Sequence, residues 1–447
     1  MIFDHIKSHP IIAVLVIYFL LLIFLNSFDR GLFWDENAYL GNARDLIGAS
    51  NYTEDFRFPL INFLIAGLWA FTGESIFSAK LLIMVFSVLS VFVFYLIAKR
   101  YFEKLKSIFI ASVFGFSYLI LYWSFRVYTD IPGMFFVLLS FYFLLNFDQD
   151  KKKASLVASG VSSALAFLMR FPFALFPVSV ILYFIYKKKI LFLLLFILSL
   201  LIALLPWLGY NYIKHSGDLL YDLREQWNIV YTYTTPESPL KHINNLFISM
   251  NIMAIFIPFG LYNQIKNKWK LKPVILIYLL LFFVYFFFFT NVKLSRYLIV
   301  GLPFLYLLAM DGLLIVKRLS PLIVLTTLVI SVITISIHIG YSGYCGNNGA
   351  LEKSVDYICS KGPDRVMSNF WPYFGYSCNS KISGLWSADL DNLIATQTPQ
   401  YIVYSPQFGD RYNKTSLDEN NKLLSEKNIT GNCNEEVFIY KATKVGI

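Results

Sequence analysis

Eleven apolar, largely uncharged runs recur along the 447 residues, at about 10–28, 80–98, 107–124, 131–147, 154–171, 172–186, 190–207, 246–262, 273–290, 297–316 and 321–339. Each approaches the length needed to cross a hydrocarbon core of roughly 30 Å. Charged residues are 15% of the chain and the AVILMFWYC set is 57%. Soluble domains carry roughly 25% charged residues. A disordered chain and a purely soluble enzyme are therefore excluded. The expected fold is mainly α, a polytopic transmembrane helical bundle of about 11 spans.

The net charge is +10. In such a chain the excess is read as topological rather than as nucleic-acid binding. Alternate gaps between runs carry Lys99, Arg100, Lys104 and Lys106, then Lys151 to Lys153, then Lys187 to Lys189. Lys266, Lys268, Lys270 and Lys272 follow, and then Lys317 and Arg318. The positive-inside rule places that side in the cytoplasm. The stretch 58–72, FPLINFLIAGLWAFT, is apolar but only about 15 residues long, at the edge of the re-entrant class. Counting it as a span would put every later Lys cluster outside. It is therefore laid in or on the outer face, which leaves 29–79 as one extracytoplasmic segment. The hydrophobic start is read as an uncleaved first span, because no A-x-A-like cleavage site follows it.

Residues 1–339 form the expected membrane module, and 340–447 a separate extracytoplasmic soluble domain. In the tail ten basic residues balance eleven acidic ones. RVMSNF, QYIVYS and EVFIYKA read as strands, and stretches near 350–360, 387–396 and 415–427 as helices, giving a small α/β domain. All four cysteines, Cys345, Cys359, Cys378 and Cys433, lie there. An even number on the outer side favours two disulfides over free thiols, with three connectivities open. Sequons at Asn51, Asn413 and Asn428 fall on the same side.

Function is sought among polar groups at the outer ends of spans. Trp34-Asp35-Glu36 follows the first run and opens an amphipathic stretch, ENAYLGNARDL. Asp35 either caps that helix or does chemistry beside the bilayer. Arg126-Val127-Tyr128-Thr129-Asp130 lies in a very short outer turn. A carboxylate there costs several kcal/mol unless paired, and Arg126, four residues back, is the sequence-adjacent partner. Asn291 to Tyr297 puts Lys293 and Arg296 in another short outer loop, and Arg170 ends the fifth run. Such cations either snorkel to headgroups or bind a lipid phosphate. There is no P-loop, GxGxxG, HExxH or CxxC, and the five His are scattered.

Asp35-Glu36-Asn37-Ala38-Tyr39 with Ala43-Arg44-Asp45-Leu46 resembles the first outer loop of the dolichyl-phosphate-mannose protein mannosyltransferase-like superfamily, which includes the lipid A aminoarabinose transferases. Arg57-Phe58-Pro59-Leu60 resembles its proline-bearing re-entrant stretch, and Ala79-Lys80-Leu81-Leu82 the start of its second span. Arg126 with Tyr128 to Pro132, and Lys293, Arg296, Tyr297 and Pro303, resemble its later motifs. The resemblance covers residues 1–315. It implies a GT-C fold and an inverting glycosyltransferase that uses a polyprenyl-phosphate-linked sugar on the outer face.

On that resemblance the catalytic acids map to Asp35, Glu36 and Asp130. The donor-phosphate cations map to Lys293 and Arg296, with Arg170 and Arg126 beside them. Arg57 or Lys80 would supply the basic residue near the re-entrant segment. The expected partners are the sugar–lipid donor, membrane lipids and a glycan, lipid or protein acceptor, with no nucleic acid. No cofactor is expected; a divalent cation held by the paired acids is the alternative. A secondary transporter of an anionic substrate is the rival reading. It is disfavoured because the notable charges gather at one face, and no internal repeat is visible.

Overall fold

A computed structural model describes residues 10–29, 31–50, 52–232, 237–238, 240–267, 273–315, 320–346, 349–385, 389–408, 414–431 and 435–443. Among the described residues the chain is mainly helical, with one small sheet near its C-terminus. Five helical stretches among the described residues are long and apolar enough to cross a membrane: Ile76–Ala98, Asp130–Asp150, Ile190–Lys214, Leu240–Lys266 and Leu322–Ile339. Shorter apolar helices cover Pro10–Asn26, Leu60–Thr72, Lys153–Met169, Phe171–Tyr186, Pro273–Phe289 and Leu302–Leu313. Ten of the eleven expected runs thus fall on these helices.

The eleventh, 107–124, is not one rod. It divides into Lys104–Gly115 and Tyr118–Trp123. The break falls at Phe116-Ser117, where the Ser117 hydroxyl turns back to the Phe114 carbonyl at 2.7 Å. The 246–262 run also bends, at Asn251, whose φ of +51° ends the first helix. The Leu60–Thr72 helix has 13 residues, about 20 Å of rise, which is short of a full crossing.

The chain divides into two compact units. One holds Met1–Phe24, Phe56–Ile61 and Lys80–Ser336; the other holds Leu25–Asp55, Asn62–Ala79 and Ile337–Ile447. In the first, helices approach closely where side chains are small. A Cβ on Gly260 would lie 2.0 Å from the Leu308 carbonyl oxygen, and one on Gly312 would lie 2.1 Å from that of Phe256. Small residues of this kind let membrane helices pack backbone to backbone. Polar groups then pair inside the bundle. Tyr18 Oη lies 2.7 Å from Ser87 Oγ, which is 2.6 Å from Ser124 Oγ. Asp311 accepts from Asn263 and Gln264 at 2.9 and 2.7 Å.

In the second unit five strands form a mixed sheet in the order β2-β1-β3-β5-β4. They are β1 Arg365–Ser368, β2 Lys381–Gly384, β3 Tyr401–Tyr404, β4 Leu423–Thr430 and β5 Glu436–Ala442. Side chains alternate between its faces, as strand geometry requires. Val366, Val403, Val437 and Ile439 meet the Ala350–Cys359 helix, while Met367, Ile402, Phe438 and Tyr440 meet the Leu390–Gln397 helix. The three expected strands are β1, β3 and β5. The helix expected over 415–427 is confined to Lys414–Asp418. The rest becomes edge strand β4, because antiparallel pairing with β5 overrides the helix-favouring LLSEK. Among the described residues a disulfide joins Cys359 and Cys378. The Cys345 side chain and Cys433 lie outside the described residues.

Candidate active site

In the first unit the site is built on helix ends. Asp130 is the first residue of the Asp130–Asp150 helix, where the helix dipole favours a negative charge. It is fully buried. Its partner is Arg170, just past the Lys153–Met169 helix, at 2.6 Å. Arg126 is therefore not the pairing cation: its guanidinium stacks 4.6 Å over Tyr122 and 5.8 Å from Phe125. Residues 126–129 are non-helical chain between the Tyr118–Trp123 and Asp130–Asp150 helices, so a separation of four residues did not set the pair. The second oxygen of Asp130 has no hydrogen-bond partner among the described residues.

Tyr297 links the cations. Its ring lies 4.6 Å from the Arg170 guanidinium carbon and 5.8 Å from that of Arg296. Arg296 also sits 4.6 Å over Tyr128 and 5.6 Å from Trp123. Aromatic faces of this kind hold guanidinium groups in place without neutralising them. Beside Arg170 and Tyr297 opens a cavity of about 270 Å³, lined also by Trp227, Tyr285, Gln226 and Asn291. A pocket that is mostly aromatic with a few convergent polar groups is the usual form of a small-molecule site.

Lys293 is placed differently. Its ammonium donates to the carbonyls of Phe286 (3.0 Å) and Thr290, and to the Thr290 hydroxyl at 3.2 Å. It thus caps the end of the Pro273–Phe289 helix, where carbonyls lack intrahelical donors. Burial pushes its ammonium below the usual range, opposed by Glu237. Glu237 accepts the Lys293 backbone N–H at 2.6 Å.

The Tyr221–Thr232 helix forms one cavity wall through Leu223, Gln226 and Trp227. Asp222 fixes it by accepting the Trp207 indole N–H at 2.9 Å. His215 lies 3.9 Å from the same carboxylate and stacks on Tyr221 at 3.8 Å. Burial pushes the Asp222 carboxyl up, opposed by Trp207, Asn211, His215 and Lys214.

In the second unit Asp35 and Glu36 open the Trp34–Leu46 helix. Phe33 is its N-cap. The capping role considered for Asp35 falls to Glu36, whose Oε2 accepts the Phe33 N–H at 3.0 Å, since the third helical residue is the one that reaches back. Glu36 is fully buried and Asp35 half-buried. The Tyr373 phenol is pushed up by burial and then by Glu36, Glu435, Glu352 and Asp35, in that order, so these acids share one neighbourhood. Among the described residues no set of three or more His, Cys, Asp or Glu converges as metal ligands.

Residues 57–210 match the family model described as dolichyl-phosphate-mannose-protein mannosyltransferase. ArnT from Cupriavidus metallidurans bound to undecaprenyl phosphate shares the fold at a TM-score of 0.72 and 14% identity, covering 97% of this chain and 98% of that one. Its apo state gives 0.73 at 13% over the same shares. Archaeal oligosaccharyltransferase AglB from Archaeoglobus fulgidus, in complex with an inhibitory peptide and a dolichol-phosphate, gives 0.60 at 12%, covering 99% of this chain and 75% of that one. No curated protein sequence matches. These likenesses show that the chain shares the fold of ArnT and AglB, and the mannosyltransferase family model matches it over residues 57–210.

In this chain the structure joins Asp130, Arg170 and Arg296 through Tyr297, and places Arg126 over the rings of Tyr122 and Phe125. Of the two basic candidates near residue 58, Lys80 is buried and Arg57 lies 5.4 Å from the Phe56 ring. Sequence reasoning missed Glu54, buried with its Oε1 on the Trp371 indole N–H at 2.8 Å. No local pattern marks it. It also missed the Trp207–Asp222–His215 set, whose only signal was an Asp seven residues after a lone His.

Proposed function

We propose that this protein transfers a sugar from a polyprenyl-phosphate donor to an acceptor hydroxyl at the outer face of the membrane, with inversion at the anomeric carbon. Asp35 takes the proton of the acceptor hydroxyl as general base, a role worth about 10²–10⁴-fold. Glu36 orients the helix start that presents it. Arg170 and Arg296, with Arg126 in the same unit, stabilise the phosphate as negative charge collects on it, while Lys293 caps the neighbouring helix end. Preorganised groups of that kind contribute roughly 3–4 kcal/mol each. Asp130 holds Arg170 in register. The sequence of events is simple: the acceptor oxygen attacks the anomeric carbon, the bond to the phosphate oxygen breaks, and the lipid phosphate leaves with the electron pair.

The observation that carries this reading is the Asp130–Arg170–Tyr297–Arg296 cluster beside an aromatic cavity. The likeness to ArnT bound to undecaprenyl phosphate and to AglB with a dolichol-phosphate supports the donor class. The acceptor is a glycan, lipid or protein hydroxyl, and the tail 340–447 is read as its outer-face partner. Transfer is read as metal-independent, and loss of turnover on chelation that is restored by a divalent cation would reverse that. The deciding experiment incubates purified protein with labelled polyprenyl-phosphate sugars and candidate acceptors. Labelled product of opposite anomeric configuration is expected. Uptake of label into sealed liposomes without sugar turnover would favour transport instead.

A further inference from the structure

The helix that begins with Trp34, Asp35 and Glu36 ends at Leu46, with Arg44 in its last turn. The Arg44 guanidinium is gripped on three sides. One nitrogen donates to the Tyr376 carbonyl, another to Asn379 Oδ1 at 3.3 Å, and Nε lies 2.9 Å from Glu74 Oε1. Its carbon also lies 5.5 Å from the Tyr376 ring. Tyr376 belongs to the Pro372–Ser377 helix, and Cys378, the first residue after that helix, is tied to Cys359. At the other end of the first helix, Trp34 packs edge-on against Trp371 at 4.6 Å. Between the ends, Tyr52 fills the space that side chains at Gly41 and Gly375 would occupy: added Cβ atoms would come within 2.5 and 2.7 Å of its ring. The helix is thus held at both ends and along its middle by one segment of the tail.

We infer that Arg44 is a positioning residue for sugar transfer: it locks the helix bearing Asp35 to residues 371–379, so the tail sets where the base stands. The inference rests on the proposed role of Asp35. The physics favours Arg at this place. A guanidinium presents a planar fork of donors that can bind a carbonyl, an amide oxygen and a carboxylate together, whereas an ammonium is a single point. A 13-residue helix is a rod of about 20 Å, so loosening its last turn swings its first. Catalytic groups need placement within about 0.5 Å, and an error of about 1 Å can cost 10²-fold. The disulfide acts on the same lock, because it fixes the strand of chain that offers Tyr376 and Asn379.

The test measures kcat, donor KM and amide exchange of residues 34–46 in the purified full chain. Arg44→Met should lower kcat about 10²-fold, leave donor KM nearly unchanged and speed exchange across 34–46. Arg44→Lys should recover part of kcat. A Cys359→Ser/Cys378→Ser pair should move kcat and exchange in the same direction as Arg44→Met, and with Arg44→Lys it decides the matter if Arg44→Met does not fold. Wild-type kcat in Arg44→Met, or a kcat loss with unchanged exchange at 34–46, overturns the inference. The two readings fail separately. A fully active Asp35→Asn removes the base; an inactive Asp35→Asn beside a fully active Arg44→Met removes only the lock.

Discussion

Two stretches of this protein hold their charged side chains in contrasting ways. In residues 290–297 of the first unit, cations sit three residues apart and are held in different ways. Lys293 is committed to backbone carbonyls, while Arg296 lies across the faces of Tyr128, Trp123 and Tyr297. In the Trp34–Leu46 helix of the second unit, acids open the helix and a cation near its end fastens it. The comparison teaches that a charge's role follows from what already occupies its donors or acceptors. A cation whose hydrogens all reach carbonyls is a cap. A cation held on ring faces is fixed in place without being neutralised.

The sharpest way to break this contrast is at the acids. Asp35→Asn should lower turnover by about 10²–10⁴-fold with the same melting temperature as wild type; equal turnover in the labelled-donor assay would remove the base assignment. Next comes the buried pair. Arg170→Ala leaves Asp130 charged and enclosed, and removing one partner of such a pair costs about 3–5 kcal/mol. Denaturant unfolding of the protein in lipid should show it, and Asp130→Asn/Arg170→Met should recover part of the loss. The disulfide follows. It closes a separation of 19 residues, so Cys359→Ser/Cys378→Ser should destabilise the tail by about 3 kcal/mol, read as a lower melting temperature for that unit.

The cations give a smaller and more discriminating effect. Lys293→Met should lower stability by about 1–3 kcal/mol through orphaned carbonyls, whereas Arg296→Met should weaken donor binding with little change in melting. A reversed pattern would exchange their roles. The smallest effect is in pH. Burial holds the Glu352 and Glu435 carboxyls above their ordinary 4.5. The folded unit therefore binds more protons than the unfolded chain. Their contribution to stability grows as pH falls from neutral through the raised values, and it is complete below about 4.5. Asp391, held down by Lys422, pulls the other way. The comparison is thus wild type against Glu352→Gln/Glu435→Gln, which should lose the rise on acidification; an identical pH profile would refute it.

Much of the fold was legible. Apolar runs named the helices, because a chain crossing lipid must satisfy its backbone within each helix. Val366, Ile402 and Phe438 marked strands through two-residue alternation. Edge strand β4 was not legible: Leu423 to Lys427 favour a helix locally, and only β5 makes them a strand. The Asp130 partner was misjudged for a similar reason. Arg126 is near in sequence, yet Arg170, forty residues away, is near in space.

By itself, then, the sequence determined that the chain is a helical membrane protein with a small α/β tail, and which charged residues stand at helix ends. Those follow from hydrophobic length, two-residue alternation and the placement of Lys and Arg, all local properties. Only tertiary structure decided the partners: Arg170 for Asp130, Tyr297 beneath two guanidiniums, and residues 371–379 gripping the helix of Asp35. Partners separated by tens or hundreds of residues are chosen by packing, since a buried charge takes whichever complement the fold brings within about 3 Å.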